Sequence, residues 1–300
     1  ATQTGGKVGF VYKTAIKGFS LENLPPQAVA GIQNRPGVKY VEEDTPVEAF
    51  AQTVPTGIDR IFATVNENID IDGVDDKRVD VDVAVIDTGV DFAHPDLNVV
   101  GGVDCTGGGP FGGSCKEGGQ DQEGHGTHVA GTIAALDNGE GVVGVAPGAR
   151  IWAVKVLGPR GGYTSWVVAG IDWVAANANA IDVANMSLGG SGYSQAEYDA
   201  IQGAINNGVA FAVAAGNSDA DANGFSPAAF DNVLTTSALA DFDGKAGGDG
   251  KATCRTDIDD TLADFSNWGK AVNIAAPGVC IYSTLPGNTF GTYSGTSMAR

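Results

Sequence analysis

Apolar and polar residues alternate along Val79–Asp87 (Val-Asp-Val-Asp-Val-Ala-Val-Ile-Asp), and the run turns apolar on both faces toward its end. That is the pattern of a strand entering a sheet covered on both sides. Short apolar runs at Ile151–Val156, Ile181–Met186 and Val209–Ala214 predict further strands, with shorter ones at 233–237 and 271–275. Three helices are predicted between them. His125–Leu136 is built of small residues, Ser165–Asn179 gathers Trp166, Ala169, Ile171, Trp173 and Val174 on one face, and Gln195–Asn207 follows. Strand–helix alternation of this kind predicts an α/β fold, a mainly parallel sheet with helices on both faces. Sites in such sheets lie beyond the carboxyl ends of the strands, which nominates Asp87, Ser187 and Asn217.

The first fifty residues read differently. Lys7–Tyr12 predicts a strand, Leu21–Gln33 a helix with Pro25 and Pro26 in its first turn, and Val38–Glu42 a second strand, together a small α+β unit. Val47–Thr53 reads as an extended connector. Charge divides at the same place. Residues 1–50 hold five basic and five acidic groups, whereas the rest hold 12 and 31, which accounts for the whole net charge of −19. Two segments, 1–50 and 51–300, are therefore expected. So acidic a chain repels a phosphate backbone, so no nucleic-acid partner is expected. No apolar run approaches the ~18 residues of a membrane helix, and no membrane partner is expected. The chain opens Ala1-Thr2-Gln3-Thr4, with no export signal in view. Four cysteines show no Cys-x-x-Cys zinc spacing. Of the three possible connectivities, the neighbour pairs Cys105–Cys115 and Cys254–Cys280 are expected, which implies an oxidising compartment.

Only three histidines are present, so an imidazole general base must be His94, His125 or His128. His125 and His128 stand one helical turn apart in Gly-His-Gly-Thr-His-Val-Ala-Gly. No third histidine or helix-borne glutamate accompanies them as a zinc site would need, and His128 is assigned a structural role. Near the end, Gly295-Thr-Ser-Met-Ala299 reads as a loop entering a helix. Ser297 is either an N-cap or a nucleophile beside free N–H groups. The Gly-x-Ser-x-Gly motif and the Ser-Asp-His order of α/β-hydrolases are both absent.

Four strings, Val83-Ala-Val-Ile-Asp-Thr-Gly-Val90, His125-Gly-Thr-His-Val-Ala-Gly-Thr132, Ala214-Ala-Gly-Asn217 and Gly295-Thr-Ser-Met-Ala299, together resemble the subtilisin-like serine proteases. They occur in the family's order, and the likeness runs from about residue 51 to the last. It implies a serine endopeptidase acting on protein or peptide substrates, with Ser297 as nucleophile, His125 as general base, Asp87 orienting it, and Asn217 donating to the oxyanion. It also implies that Ser187-Leu188-Gly189-Gly190 and Ala214-Ala215-Gly216 edge the pocket for the residue before the cut. Gly161-Gly162-Tyr163 would pair with extended substrate. A structural Ca²⁺ is implied at Gln52, Asp96 and Asn138 (side chains) with Leu136, Glu140 and Val142 (backbone oxygens). Asp241-Phe-Asp243-Gly244 is expected to be a solvated turn instead. The stretch 107–113, lacking the Lys and Ser/Thr that close a phosphate loop, is not a phosphate cradle.

Residues 1–50 resemble the end of the family's inhibitory propeptide, with Val38–Asp44 the recognisable piece. The chain's own propeptide would then be a partner. Autocleavage is expected after Phe50, with Val47–Phe50 lying in the cleft as a product does. That expectation favours an apolar residue before the cut and another three residues earlier. A secreted, monomeric enzyme made as a zymogen is implied. The family's first propeptide strand is missing before Gly5, and the chain stops three residues after Ser297 with Arg300 where a small residue is usual. The sequence is therefore expected to be a fragment trimmed at both ends, and a catalytically incompetent peptide-binding fragment is the alternative reading.

Overall fold

A computed structural model of the chain describes residues 6–14, 16–43, 52–107 and 114–299. The chain forms two compact units that divide near residue 50. The first holds β1 (Lys7–Tyr12) paired antiparallel with β2 (Gly18–Glu22), then α1 (Pro26–Gln33). Pro25 is the N-cap of α1 and Pro26 its first residue, where a missing N–H costs nothing. Leu21 and Glu22, expected in the helix, belong to β2 instead: two prolines so close cannot sit deeper than a helix's first turn. Residues 38–42 form no strand, because no partner strand among the described residues offers them a ladder.

The second unit begins with a short helix, α2 (Thr56–Arg60), and then builds β3 (Asp82–Asp87), β4 (Val99–Asp104), β5 (Lys116–Glu117), α3 (His125–Ala134) and β6 (Arg150–Lys155). It continues with α4 (Thr164–Ala176), β7 (Val183–Met186), β8 (Gly190–Ser191), α5 (Gln195–Asn206), β9 (Ala210–Ala214), β10 (Phe225–Ser226), β11 (Leu234–Leu239), β12 (Ile274–Pro277), β13 (Ile281–Leu285) and β14 (Thr289–Tyr293). The main sheet runs β12-β11-β9-β7-β3-β6-β4-β5, parallel except for the edge pair β4–β5. Side ribbons β8–β10 and β13–β14 are antiparallel.

Strand β3 shows why the sheet is two-sided. Ala84 and Ile86 face a core shared with Val167, Ile171 and Val174 of α4 and Ile201 of α5. Val83 and Val85 face the opposite core, with Val129 and Ala130 of α3, Ile281 and Met298. Successive side chains of a strand point to opposite faces, so a continuous apolar run is what a doubly covered strand requires. Each fully buried Ile or Val contributes about 1.5–3 kcal/mol. The disulfides are Cys105–Cys115 and Cys254–Cys280, the neighbour pairing expected.

Candidate active site

The carboxyl ends of β3, β7 and β9 bring Asp87, Ser187 and Asn217 to one edge of the sheet. Asp87 is fully buried, and its Oδ1 accepts the Thr88 N–H at 2.7 Å. The same oxygen lies 2.7 Å from His125 Nδ1. An ionised carboxylate is acceptor-only, so the ring carries its proton on Nδ1 and presents Nε2 as the basic nitrogen. Asp87 Oδ2 is buried without a hydrogen-bond partner among the described residues.

His125 opens α3, and the helix is pressed against the end of β3 by glycines. A Cβ on Gly126 would overlap the Gly89 carbonyl oxygen and come within 3.1 Å of the Asp87 Cβ. Gly124, the residue before His125, has φ 100°, a left-handed conformation that glycine adopts freely. No side chain caps α3 from Gly124 itself. Asp121 does that work from three residues upstream. One carboxylate oxygen accepts the N–H groups of Glu123 and Gly124 and the Thr88 hydroxyl; the other accepts the Thr127 N–H and hydroxyl. Thr88 Oγ1 in turn accepts the Gly126 N–H at 2.9 Å. Sequence reasoning missed Asp121, although an acidic residue just ahead of a helix start is a capping signal.

Ser297 lies in a short turn of 3₁₀ helix, Thr296–Met298, and is 8 % exposed. Its hydroxyl donates to the Ser187 backbone carbonyl at 3.2 Å, and Ser187 Oγ donates to the Ser297 carbonyl at 3.1 Å. Asn217 is held by its oxygen, which accepts the Thr296 N–H at 2.8 Å and the Thr296 hydroxyl at 3.0 Å. That leaves the Asn217 amide NH₂ as a donor with no partner among the described residues. His125, Asn217 and Ser297 line one cleft of about 1030 Å³. The predicted substrate residues Gly161, Gly162, Tyr163, Ser187, Leu188, Gly189, Ala214 and Gly216 line it too. Gly161 spends its N–H and carbonyl on Gly158 at 3.0 Å each, so it is not an open edge. Gly162 is the residue of that stretch whose backbone makes no hydrogen bond among the described residues.

His128, three residues beyond His125, is fully buried. Its Nε2 lies 3.0 and 3.1 Å from the Ile281 and Gly291 carbonyls, and its ring stacks on Tyr293 at 4.4 Å. Burial pushes its pKa down to about 4, so it stays neutral. His94 is also buried, which lowers its pKa; its Nδ1 accepts the Asp96 N–H at 3.2 Å.

The six residues expected around calcium meet in one place. Asp96, 3 % exposed, accepts Asn138 Nδ2 at 3.0 Å and the Val142 N–H at 3.1 Å. Gln52 accepts the Gly139 N–H at 2.9 Å and donates to the Leu136 carbonyl at 3.4 Å, while Asn138 accepts the Glu140 N–H at 2.8 Å. Burial raises the pKa of Asp96 to about 6. The acidic stretch 241–244 is not the solvated turn expected. Asp241 and Asp259 are buried, only Asp243 is exposed, and the three carboxylates converge within 4.8 Å. Backbone N–H groups and Arg60 satisfy the two buried ones, which is what lets acid sit inside. The predicted cleavage point after Phe50 and most of stretch 107–113 fall outside the described residues. Among those described, no helix is long and apolar enough to cross a membrane.

Comparison with known proteins gives two family matches: the subtilase family of peptidases over residues 79–299, and peptidase inhibitor I9 over residues 2–50. Subtilisin E of Bacillus subtilis strain 168 is 40 % identical over 303 residues, covering 99 % of this chain and 71 % of its own length. An alkaline protease of Shouchella clausii is 40 % identical over 277 residues, covering 92 % of this chain and 64 % of its own. The solved structure of a cold adapted subtilisin-like serine proteinase superposes with a TM-score of 0.60 at 40 % identity, over 78 % of this chain and 74 % of that one. A protease of Pseudoalteromonas arctica gives 0.62 at 31 % identity, over 77 % and 78 %.

Proposed function

Because the chain belongs to the subtilase family of serine endopeptidases, with an inhibitor I9 segment ahead of the peptidase, we propose that it cuts peptide bonds through Asp87, His125 and Ser297. The 2.7 Å Asp87–His125 contact, in a cleft that also holds Ser297 and Asn217, carries this reading. Ser297 Oγ turns from the Ser187 carbonyl toward His125 Nε2 and attacks the substrate carbonyl while the imidazole takes its proton. The buried Asp87 carboxylate stabilises the imidazolium, which then protonates the leaving amine. The Asn217 NH₂ and the Ser297 N–H take the oxyanion, and water releases the acyl group by the reverse route. A fluorophosphonate probe tests it: wild-type chain should be modified at Ser297 and Ser297→Ala should not. Absence of labelling in folded protein would favour a peptide-binding role.

Residues 1–50 are proposed to be the inhibitory propeptide of a secreted, monomeric zymogen, and 51–300 the catalytic domain. Secreted enzyme should then begin at Ala51 when its N-terminus is sequenced. The oxygens of Gln52, Asp96, Asn138, Leu136, Glu140 and Val142 suit a structural Ca²⁺. Asp96 is a buried carboxylate that no basic side chain pairs among the described residues, and hard oxygen donors surround it. A bound ion would tie the segment at Gln52 to the 136–142 loop. Adding a chelator should lower the melting temperature, and Asp96→Asn should remove that sensitivity.

A further inference from the structure

Glu197 is the carboxyl group lining the cleft that the mechanism leaves unused. It lies in the first turn of α5, is 5 % exposed, and lines the same cavity as His125 and Ser297. The sequence Ser194-Gln-Ala-Glu197 is a capping-box pattern, in which the glutamate returns a hydrogen bond to the Ser194 N–H. Here only half the box forms. Ser194 Oγ accepts the Glu197 N–H at 3.3 Å, but the Ser194 N–H donates to Ser226 Oγ at 2.9 Å. The β8–β10 ribbon, which places Ser226 beside Ser194, has taken the glutamate's partner. The Glu197 carboxylate is left with no hydrogen bond and no ion pair among the described residues.

Unpaired carboxylates are expensive to bury. Burial raises the pKa of this group to about 7. The helix N-terminus favours its charge but supplies no hydrogen bond. Leu188 and Val167 line the cavity as well and give it an apolar wall. Leu188 belongs to the 187–190 stretch assigned above to the pocket for the residue before the cut, and Val167 lies in the first turn of α4, which follows directly on the 161–163 stretch assigned to extended substrate.

We propose that Glu197 makes this part of the cleft a subsite for a basic side chain, Lys or Arg, on the substrate's upstream side, beyond the residue that abuts the cut. The stem of such a side chain packs along Leu188 and Val167, and its cationic head supplies the partner the carboxylate lacks. The inference rests on the endopeptidase reading and adds a substrate class to it. The processing tail Val47–Phe50 contains no Lys or Arg, so the preference concerns substrates other than the chain itself. Other titratable groups lining the cleft are His125, Arg160, Tyr163 and Tyr193.

Position-scanned peptide substrates at pH 8.5 provide the test, with active enzyme counted by fluorophosphonate labelling. At one upstream position, Lys or Arg should be cut about ten- to hundredfold better than norleucine, mainly through KM. Glu197→Gln should bring that ratio close to one at the same position only. In the wild type the ratio should rise from pH 6 to 8.5 as the carboxyl ionises, and in Glu197→Gln it should stay flat. An equal ratio in both proteins, or no basic preference anywhere upstream, overturns the proposal. If labelling fails, the endopeptidase reading falls instead. The subsite is then judged by the Kd values of the lysine and norleucine peptides on Ser297→Ala, where equal affinities would overturn it.

Discussion

The first turn of α3 holds two imidazoles three residues apart, and their surroundings give them opposite chemistry. His125 is about one-third exposed at the mouth of the cleft and shares a hydrogen bond with a buried carboxylate. His128 has turned into the core against the β13–β14 ribbon, with two carbonyls at one nitrogen and no hydrogen-bond partner at the other among the described residues. Residue type and helix are the same. What differs is which face of the turn meets the strand ends and which meets the packed interior. A histidine becomes a base where a carboxylate orients it and water or substrate can reach it. In an apolar core it is a hydrogen-bonding aromatic.

Substitution should separate the two most sharply in catalysis. His125→Ala, like Ser297→Ala, should lower kcat by about 10⁶-fold, the scale measured when these groups are removed from subtilisin. Stability should change little, because a partly exposed ring adds little burial. His128→Gln should do the reverse, lowering the melting temperature while fluorophosphonate labelling of the folded fraction persists. Equal loss of labelling in folded His128→Gln would break the division of labour. Asn217→Leu comes next, at about 10²- to 10³-fold in kcat, roughly 3–4 kcal/mol, again a magnitude known from subtilisin. KM should move far less, since the amide is needed when the oxyanion forms. A loss confined to KM would move Asn217 from the oxyanion site to ground-state binding.

The third contrast is in acid. His128 has a folded pKa near 4 against about 6.5 unfolded, so between those values the unfolded chain binds more protons. Stability therefore rises with pH across that window. It is lost as pH falls, reaching about 3 kcal/mol once both values are passed. Urea unfolding of wild type and His128→Gln between pH 4 and 7 should show the difference shrinking toward acid. A difference that stays constant with pH would mean that the buried ring is not being protonated on unfolding.

How far these roles are legible in the sequence depends on range. The alternation of Val79–Asp87 shows β3 because a doubly covered strand writes its environment into every residue. The motifs around Asp87, His125, Asn217 and Ser297 mark the site through the family likeness. The ribbon β13–β14 was not predicted, and neither was β4, whose Gly101 and Gly102 break the apolar run. Residues 38–42 have a strand-like sequence but no partner strand among the described residues, since pairing is a property of two segments. The buried acid at 241 looks solvated in sequence because its local partners, the Asp243 and Gly244 N–H groups, are those of an ordinary turn, whereas Arg60 reaches it from far along the chain. Glu197 looks like an ordinary cap until Ser226, 29 positions later, takes its hydrogen bond.

The smallest expected effect concerns what holds the two imidazoles in their places. Asp121, buried and accepting five hydrogen bonds, fastens the start of α3 to Thr88, the residue after Asp87. Asp121→Asn keeps the size but turns one acceptor oxygen into an NH₂ that faces donors. At least one N–H or hydroxyl then loses its acceptor, at a cost of about 2 kcal/mol. Because Thr127 and Gly124 flank His125, the loosened turn should reduce kcat as well, whereas the His128 ring, locked by its own carbonyls and Tyr293, should keep its place. Measured by the ring proton shifts of the two histidines, the variant should disturb His125 and spare His128. Equal disturbance of both would show that α3 moves as one rigid rod, and that the contrast between its two histidines belongs to the surroundings alone.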